Sequence, residues 1–235
     1  MTRRTVCALE YDRITAAFSA EAERLASVML GLKAADWARP TACPPWTVSE
    51  LLAHVVTILA RIPAMLATSA PPRADVGVVD YYRPDDRFSA KTNAERIDLA
   101  RQRAYSARGG HGLAIEFDDT WRNVLQACLQ EPRDRVVRTR HGDAMLLSDF
   151  LVTRVVELGI HGLDLAAALD HPPWLTPEAS SLLIDLLLGG QNDYTLDDLG
   201  WDEITFLRKA TGREPLTADE NEEVRTQGIR WLTLG

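Results

Sequence analysis

The stretch DFLVTRVVELGIHGLDLAAAL, residues 149–169, places ionisable side chains inside an otherwise apolar helical pattern. At 100° per residue, four of them fall within an arc of about 80° on one helix face: Arg154, Glu157, His161 and Asp164. The neighbouring positions are apolar, so a solvated face does not explain this stripe. Buried ionisable groups need polar partners or a metal ion. The stretch therefore predicts a buried helix that carries a polar site into the core.

Three earlier segments show the same helical spacing of apolar residues: 10–32, 48–66 and 118–130. The segment 48–66 follows Thr47, and Glu50 completes the capping-box pattern that satisfies the first amides of a helix. Pro63 is expected to kink or end this helix. Together with 149–169, these segments predict an all-α fold built on a four-helix bundle.

The remaining segments are predicted to be connections and short elements. Residues 69–91 contain prolines and no clear period, which indicates a long irregular connection able to cover a site. Residues 135–147 alternate around a central His-Gly pair and predict a short hairpin. A helix is expected over 93–108, with a break at the following glycine pair before the helix that starts at Asp118.

The C-terminal part is predicted to form a small helical extension with helices over 177–188 and 202–210. We therefore divide the chain into a bundle, residues 1–170, and an extension packed on it, residues 171–235.

His54 lies in LLAHVVTIL, residues 51–59, where the aliphatic neighbours give no reason for an imidazole. Glu157 and His161, four residues apart on one helix, can reach a single cation, and His54 would supply a third ligand from another helix. Two imidazoles and one carboxylate suit zinc or a similar divalent ion and leave a coordination position open. We therefore predict a metal site at His54, Glu157 and His161.

Each of these residues also has a simpler interpretation. His54 could be a hydrogen-bonded core histidine, and the Glu157–His161 pair could be an ordinary helix-surface pair. Cys43 precedes the predicted helix of His54 and could reach the mouth of the site or be a small packed thiol. The other histidines are expected at the surface: His111, His141 and His171.

Composition limits the class of protein. The 235 residues are 46 % hydrophobic and 26 % charged, as in globular proteins, and the formal charge of −8 argues against nucleic acid and anionic membranes as partners. The three cysteines form no CxxC pair, which disfavours a disulfide framework and favours a cytoplasmic setting. We expect neither a signal peptide nor a membrane span. A small molecule is the expected partner, and the oligomeric state, monomer or homodimer, is left open.

Three stretches carry a resemblance to a known family. Asp36-Trp37 followed by PTACPPWTVSELLAHV, residues 40–55, and the stretch at 149–169 resemble the metal-binding domain of mycothiol-dependent maleylpyruvate isomerases, within the DinB/YfiT-like superfamily of helical bundles. The resemblance covers residues 12–170. The stretch ITFLRKATGREPLT, residues 204–217, is similar to the C-terminal portion of proteins in this group.

The resemblance implies a DinB-like four-helix bundle with zinc ligands at His54, Glu157 and His161 and with mycothiol as cosubstrate. Family members carry a further α/β domain after the bundle, whereas residues 171–235 here are predicted to be helices and loops. The superfamily also contains thiol S-transferases, so both isomerisation and S-transfer to a small electrophile are open, including a role in secondary metabolism.

Two further residues of the stripe are given roles from their chemistry. Arg154 is predicted to hold a carboxylate of the substrate or thiol, with an ion pair to Asp164 or Glu157 as the alternative. Asp164 is predicted to accept a hydrogen bond from a ligand imidazole and so to orient it. Two other function classes remain: a bundle that binds metal or ligand without catalysis, and a metal-dependent hydrolase that uses bound water.

Overall fold

The computed structural model describes residues 3–83, 85–188 and 196–227. Its helices are α1 (Arg3–Leu30), α2 (Val48–Leu59), α3 (Ile62–Leu66), α4 (Val78–Tyr81), α5 (Ala90–Ser106), α6 (Gly109–Leu129), α7 (Leu147–Ala168), α8 (Pro177–Leu188), α9 (Leu196–Leu199), α10 (Glu203–Ala210) and α11 (Ala218–Gln227). A two-stranded antiparallel sheet pairs β1 (Val136–Arg138) with β2 (Ala144–Leu146), and short 3-10 turns lie at Asp36–Ala38 and Asp86–Phe88.

Four long helices form the bundle, because α1 and α2 each pack against both α6 and α7 and so close a ring around one core. All four helices contribute completely buried side chains to that core: Phe18, Leu25, Leu52, Phe117 and Leu158. Burial of each such side chain stabilises the fold by roughly 1.5–3 kcal/mol relative to exposure. The predicted all-α fold, a four-helix bundle with a short hairpin and a small helical C-terminal part, is confirmed.

The N-terminus of α2 is fixed by the predicted capping box. The Thr47 hydroxyl accepts from the Glu50 amide at 3.4 Å, and the Glu50 carboxylate accepts from the Thr47 amide at 2.8 Å. The predicted helix 48–66 is two helices, because α2 ends at Leu59 and α3 begins at Ile62. Pro63 lies in the first turn of α3, where its missing N–H leaves no helical bond unmade.

By length and composition alone, the span Val48–Leu66 resembles a membrane-crossing helix, with a mean hydropathy of 1.4. Core helices of globular proteins show the same pattern, and 56 % of this span is buried inside the protein. Packing in the bundle therefore accounts for its apolar character.

The helix predicted to start at Asp118 begins at Gly109. The predicted extent of the break is therefore wrong, because both glycines lie in the first turn of α6. Gly109, with φ of +80°, turns the chain into α6. Gly110 lies against the Trp37 indole, and a Cβ there would fall 2.0 Å from a ring atom. The second glycine permits this close approach of helix and indole rather than ending a helix.

The connection 69–91 is more ordered than predicted, since it contains α4 and the turn Asp86–Phe88. It is bound to the hairpin by polar contacts. The Asp75 amide donates to the Ala144 carbonyl at 2.8 Å, and the Asp75 carboxylate accepts from the Ala144 amide at 2.8 Å. Asp143 pairs with Arg83 at 2.8 Å and with the buried Arg87 at 2.9 Å. These contacts hold the connection over one end of the bundle.

The predicted hairpin is present, with Val137 opposite Met145 and a turn that contains Gly142 at φ of +90°. The predicted C-terminal helices appear as α8 and α10, and α8 packs on both α1 and α7. The helix predicted over 93–108 is α5, which packs on α2 outside the ring. The division of the chain at residue 170 stays a prediction.

Candidate metal centre and cavity

The structure brings together the three residues predicted as metal ligands. His54 on α2 has its Nε2 atom 3.6 Å from Glu157 Oε2, and His161 Nε2 lies 3.3 Å from the same oxygen. The two imidazole centroids are 5.4 Å apart, with the rings nearly perpendicular. One ligand atom from each residue lies within 4.8 Å of the other two. Packing of α2 against α7, and one turn of α7 between Glu157 and His161, produce this convergence.

The donor set fits a divalent first-row cation. Two imidazole nitrogens and one carboxylate oxygen are typical zinc ligands, and three protein ligands leave a position for substrate. The site is largely enclosed, with side-chain exposures of 10 % for His54, 21 % for Glu157 and 12 % for His161. Such a pocket limits competition from bulk water for the cation.

Asp164 lies on the Nδ1 side of the His161 ring, the side that faces away from Glu157. Its Oδ2 atom is 3.0 Å from His161 Nδ1, and its side chain is 2 % exposed. Arg213 donates to both carboxylate oxygens, at 3.1 Å and 3.0 Å. A neutral His161 that donates through Nδ1–H to Asp164 presents the lone pair of Nε2 toward Glu157. Asp164 and Arg213 thus fix the orientation of the His161 ring.

The charges of the cluster are strongly coupled. Burial lowers the pKa of His54 more than the nearby Glu157 carboxylate raises it. Burial alone would lower the pKa of His161, but the nearby Asp164, Cys43 and Glu157 raise it well above its usual value. Burial opposes ionisation of Glu157, yet the nearby imidazoles of His161 and His54 hold its pKa well below the usual range. The carboxylate at the centre of the cluster is therefore ionised.

The loop before α2 supplies the wall of the site. The Trp46 indole stacks on the His54 ring at 4.8 Å between centroids and meets His161 edge-on at 6.4 Å. The Cys43 thiol donates to Asp164 Oδ2 at 3.0 Å. Cys43, His161 and Asp164 form a second trio of possible metal donors. Because Arg213 occupies both oxygens of Asp164, the trio of His54, Glu157 and His161 is better suited to a cation.

Arg154 is buried, with 4 % of its side chain exposed. Its Nη2 atom lies 3.9 Å from Glu157 Oε1, its Nε donates to the Thr153 hydroxyl at 3.1 Å, and its guanidinium stacks on Phe150 at 4.7 Å. The contact with Glu157 is too long for a hydrogen bond, so this guanidinium keeps donors for another group. Of the two alternative ion pairs, the one with Glu157 is present at 3.9 Å, whereas the one with Asp164 is absent among the described residues, where Arg213 pairs with Asp164.

A cavity of about 720 Å³ opens in front of the cluster. The connection 69–91 and the loop before α2 line it as predicted, through residues that include Tyr81, Phe88 and Trp46. Sequence reasoning missed other contributors, which include α5, the hairpin turn and the segment 211–213. The size suits a ligand of several hundred daltons, or two smaller ones together.

His141 corrects a prediction. It was expected at the surface, whereas it is half-buried and lines the cavity. Burial first, and then repulsion from Arg140 and Arg87, lower its pKa to about 4. His111 and His171 are exposed, as expected. The hairpin folds over the cavity through long-range contacts, which a turn pattern does not reveal.

Known proteins resemble the chain in sequence family and in fold. The sequence profile of the mycothiol maleylpyruvate isomerase N-terminal domain matches residues 18–166. Two similar solved structures are a mycothiol-dependent maleylpyruvate isomerase and a variant of it with one histidine replaced by alanine. Each is 14 % identical and covers 76 % of this chain and 69 % of its own, with TM-scores of 0.51 and 0.53 respectively. No curated protein sequence matches the chain.

Proposed function

Because the chain belongs to the family of the mycothiol maleylpyruvate isomerase N-terminal domain, we propose that it is a metal-dependent enzyme that activates a low-molecular-weight thiol. Mycothiol is the thiol that the family description names, and a small electrophile is the second substrate. The reaction is isomerisation or S-transfer. One observation carries the proposal: two imidazoles and a carboxylate converge on the wall of a cavity large enough for a thiol and its partner.

His54, Glu157 and His161 would hold the cation, zinc by preference. When bound, such a cation supplies positive charge that lowers the pKa of a nearby thiol and favours the nucleophilic thiolate. The surrounding residues of the protein hold these ligands in place. Asp164 holds the His161 ring, Arg213 holds Asp164, and the Trp46 indole covers the His54 ring from water.

Arg154 is the group proposed to position the electrophile. Its guanidinium lines the cavity beside Glu157 and is stacked on Phe150, so its direction is fixed before a ligand enters. A carboxylate held there would present its neighbouring carbon to the thiol. A cis double bond conjugated to a carbonyl would be isomerised by addition, rotation and elimination, whereas a leaving group or epoxide would give S-transfer.

Turnover with and without thiol tests the proposal directly. We expect zinc-loaded protein to consume maleylpyruvate, or one member of a panel of epoxides and alkyl halides, only when mycothiol is present. Consumption of substrate by water without thiol would instead identify a hydrolase. Full metal and thiol binding with no turnover across the panel would identify a non-catalytic bundle.

Replacing Arg154 by Lys is expected to raise KM for a carboxylate-bearing substrate by about 5- to 150-fold, equivalent to about 1–3 kcal/mol, since an ammonium cannot make the two-pronged contact. Metal content should not change. The matched control is Arg24→Lys at an exposed position of α1. Unchanged kinetics for Arg154→Lys would reduce Arg154 to a packing residue.

Replacing Asp164 by Asn is expected to weaken zinc affinity by about 10- to 100-fold, because the amide cannot hold the His161 ring as the carboxylate does. Competition with a chromophoric chelator measures this affinity. Asp185→Asn, on the exposed face of α8, removes the same charge away from the site and serves as control. Equal affinities of the two variants would contradict the orienting role of Asp164.

A further inference from the structure

The lining of the cavity is strongly cationic although the whole chain is acidic. Seven arginines line it, and Glu157 is the one acidic residue among the lining side chains of the described chain. Two of these arginines form ion pairs with carboxylates that do not line the cavity: Arg87 with Asp143, and Arg213 with Asp164. Arg154 faces Glu157. Positive charge remains in excess on the surface that a ligand would touch.

Four of the seven have no carboxylate within 4.0 Å in the described part of the chain: Arg61, Arg96, Arg138 and Arg140. They come from three separate elements: Arg61 from the junction of α2 and α3, Arg96 from α5, and Arg138 and Arg140 from the hairpin. Arg96 donates to the Asn93 side chain at 2.7 Å and to the Arg87 carbonyl at 2.6 Å, which orients its guanidinium. The fold thus brings four cations without a carboxylate partner to one cavity, and one of them, Arg138, donates to the Gly142 carbonyl at 2.7 Å.

Burial and mutual repulsion lower the pKa of two of these arginines. Burial and then repulsion from Arg140 and Arg154 lower the pKa of Arg61 to about 10. Burial, together with repulsion from Arg140, also lowers the pKa of Arg96 despite the attraction of Glu157. Like charges held together in a partly buried pocket destabilise the empty protein. Such an arrangement is offset when a bound anion supplies the missing negative charge.

We propose that Arg61, Arg96 and Arg140 form an anion-binding subsite for a doubly charged, phosphate-type group on the ligand of this cavity. A single carboxylate satisfies one guanidinium through two parallel hydrogen bonds and would leave two cations uncompensated. A phosphate group offers three acceptor oxygens and two charges, which several arginines can share. The subsite shares no residue with His54, Glu157 and His161.

The apolar wall narrows the class of ligand further. Phe88, Met65 and Ile97 line the same cavity, so it also offers apolar surface to the carbon part of a ligand. The subsite rests on the proposed function only because this cavity is taken as the substrate site. The substrate is then a small organic phosphate with an apolar, thiol-reactive part.

Calorimetric titration of the protein with inorganic phosphate tests the subsite without turnover or thiol. The titration is run at constant ionic strength on zinc-loaded protein and on chelator-treated, metal-free protein. We expect saturable 1:1 binding in both forms and no saturable binding of acetate. Arg61→Gln, Arg96→Gln and Arg140→Gln should each weaken phosphate binding at least about tenfold. Arg24→Gln, an exposed arginine of α1, should bind phosphate like the parent.

Three outcomes would overturn the subsite. Phosphate binding lost in the metal-free form would assign the anion to the metal cluster. Acetate binding as tight as phosphate binding would remove the preference for two charges. Unchanged affinity in Arg140→Gln would also overturn it, because Arg140 is exposed and its replacement leaves the core intact. If the protein binds phosphate as expected but shows no thiol-dependent turnover, the proposed function is refuted and the subsite is not.

Discussion

Replacing Glu157 by Gln is expected to abolish stoichiometric metal binding and to lower thiol-dependent turnover by at least about 100-fold. This loss should be larger than the loss caused by replacing a residue that only orients a ligand. Glu157 Oε2 lies between the Nε2 atoms of His54 and His161, so its charge is the one anionic donor of the trio. The amide keeps the shape of the side chain and removes that charge. Elemental analysis after purification without added metal gives the stoichiometry, and His54→Ala and His161→Ala should give the same result.

The control for metal content is His171→Ala, which removes an exposed imidazole. Melting in chelator separates ligation from folding, because parent and Glu157→Gln should then melt at the same temperature, whereas added metal should stabilise only the parent. Metal stoichiometry equal to the parent in all three ligand variants would refute the assignment. A large loss of stability of Glu157→Gln even without metal would make Glu157 a structural ion-pair partner.

Replacing Gly110 by Ala is expected to destabilise the fold by about 3 kcal/mol, near the upper end of overpacking costs. The new Cβ would lie 2.0–2.3 Å from three atoms of the Trp37 ring, so the indole or α6 must move. For a chain of this size, the melting temperature should fall by about 6–12 °C. Thermal unfolding followed by circular dichroism measures the change.

Gly31→Ala is the matched control, because its Cβ would meet the nearest atom, the Val28 carbonyl oxygen, at an ordinary 3.5 Å. In the double variant Gly110→Ala/Trp37→Leu, the smaller side chain at position 37 makes room for the new Cβ. The double variant should therefore be more stable than the sum of the two single changes predicts. A melting temperature of Gly110→Ala equal to that of Gly31→Ala would show that the contact between α6 and Trp37 is not tight.

Local sequence patterns were sufficient for much of the fold. The start of α2 depends on Thr47 and Glu50, three residues apart, and the helical period of α7 lies within one stretch. The convergence of His54 with Glu157 and His161 was also predictable, because each interrupts an apolar helix face. An ionisable group in such a position needs a partner, and a bundle places the partner on a neighbouring helix.

The missed features depend on contacts between distant parts of the chain. A glycine pair is typical of a break, and only the Trp37 indole shows why Gly110 lies inside a helix. Arg213 meets Asp164 across 49 residues, so periodicity gave no sign of it, although it lies in the C-terminal stretch that resembles the family. The arginines of the cavity come from separate elements, and no single segment of sequence shows that they converge.

The bond between Asp164 and Arg213 ties the C-terminal segment to the ring of His161. If a bound cation stabilises the His161 ring in the orientation that Asp164 holds, it also stabilises the contact of residues 211–213 with the bundle. The two free energies are equal because thermodynamic coupling is reciprocal. A protease that cuts only the detached segment would therefore cut more slowly as metal is added. The same ion pair would make metal occupancy sensitive to a part of the chain that contributes no proposed ligand.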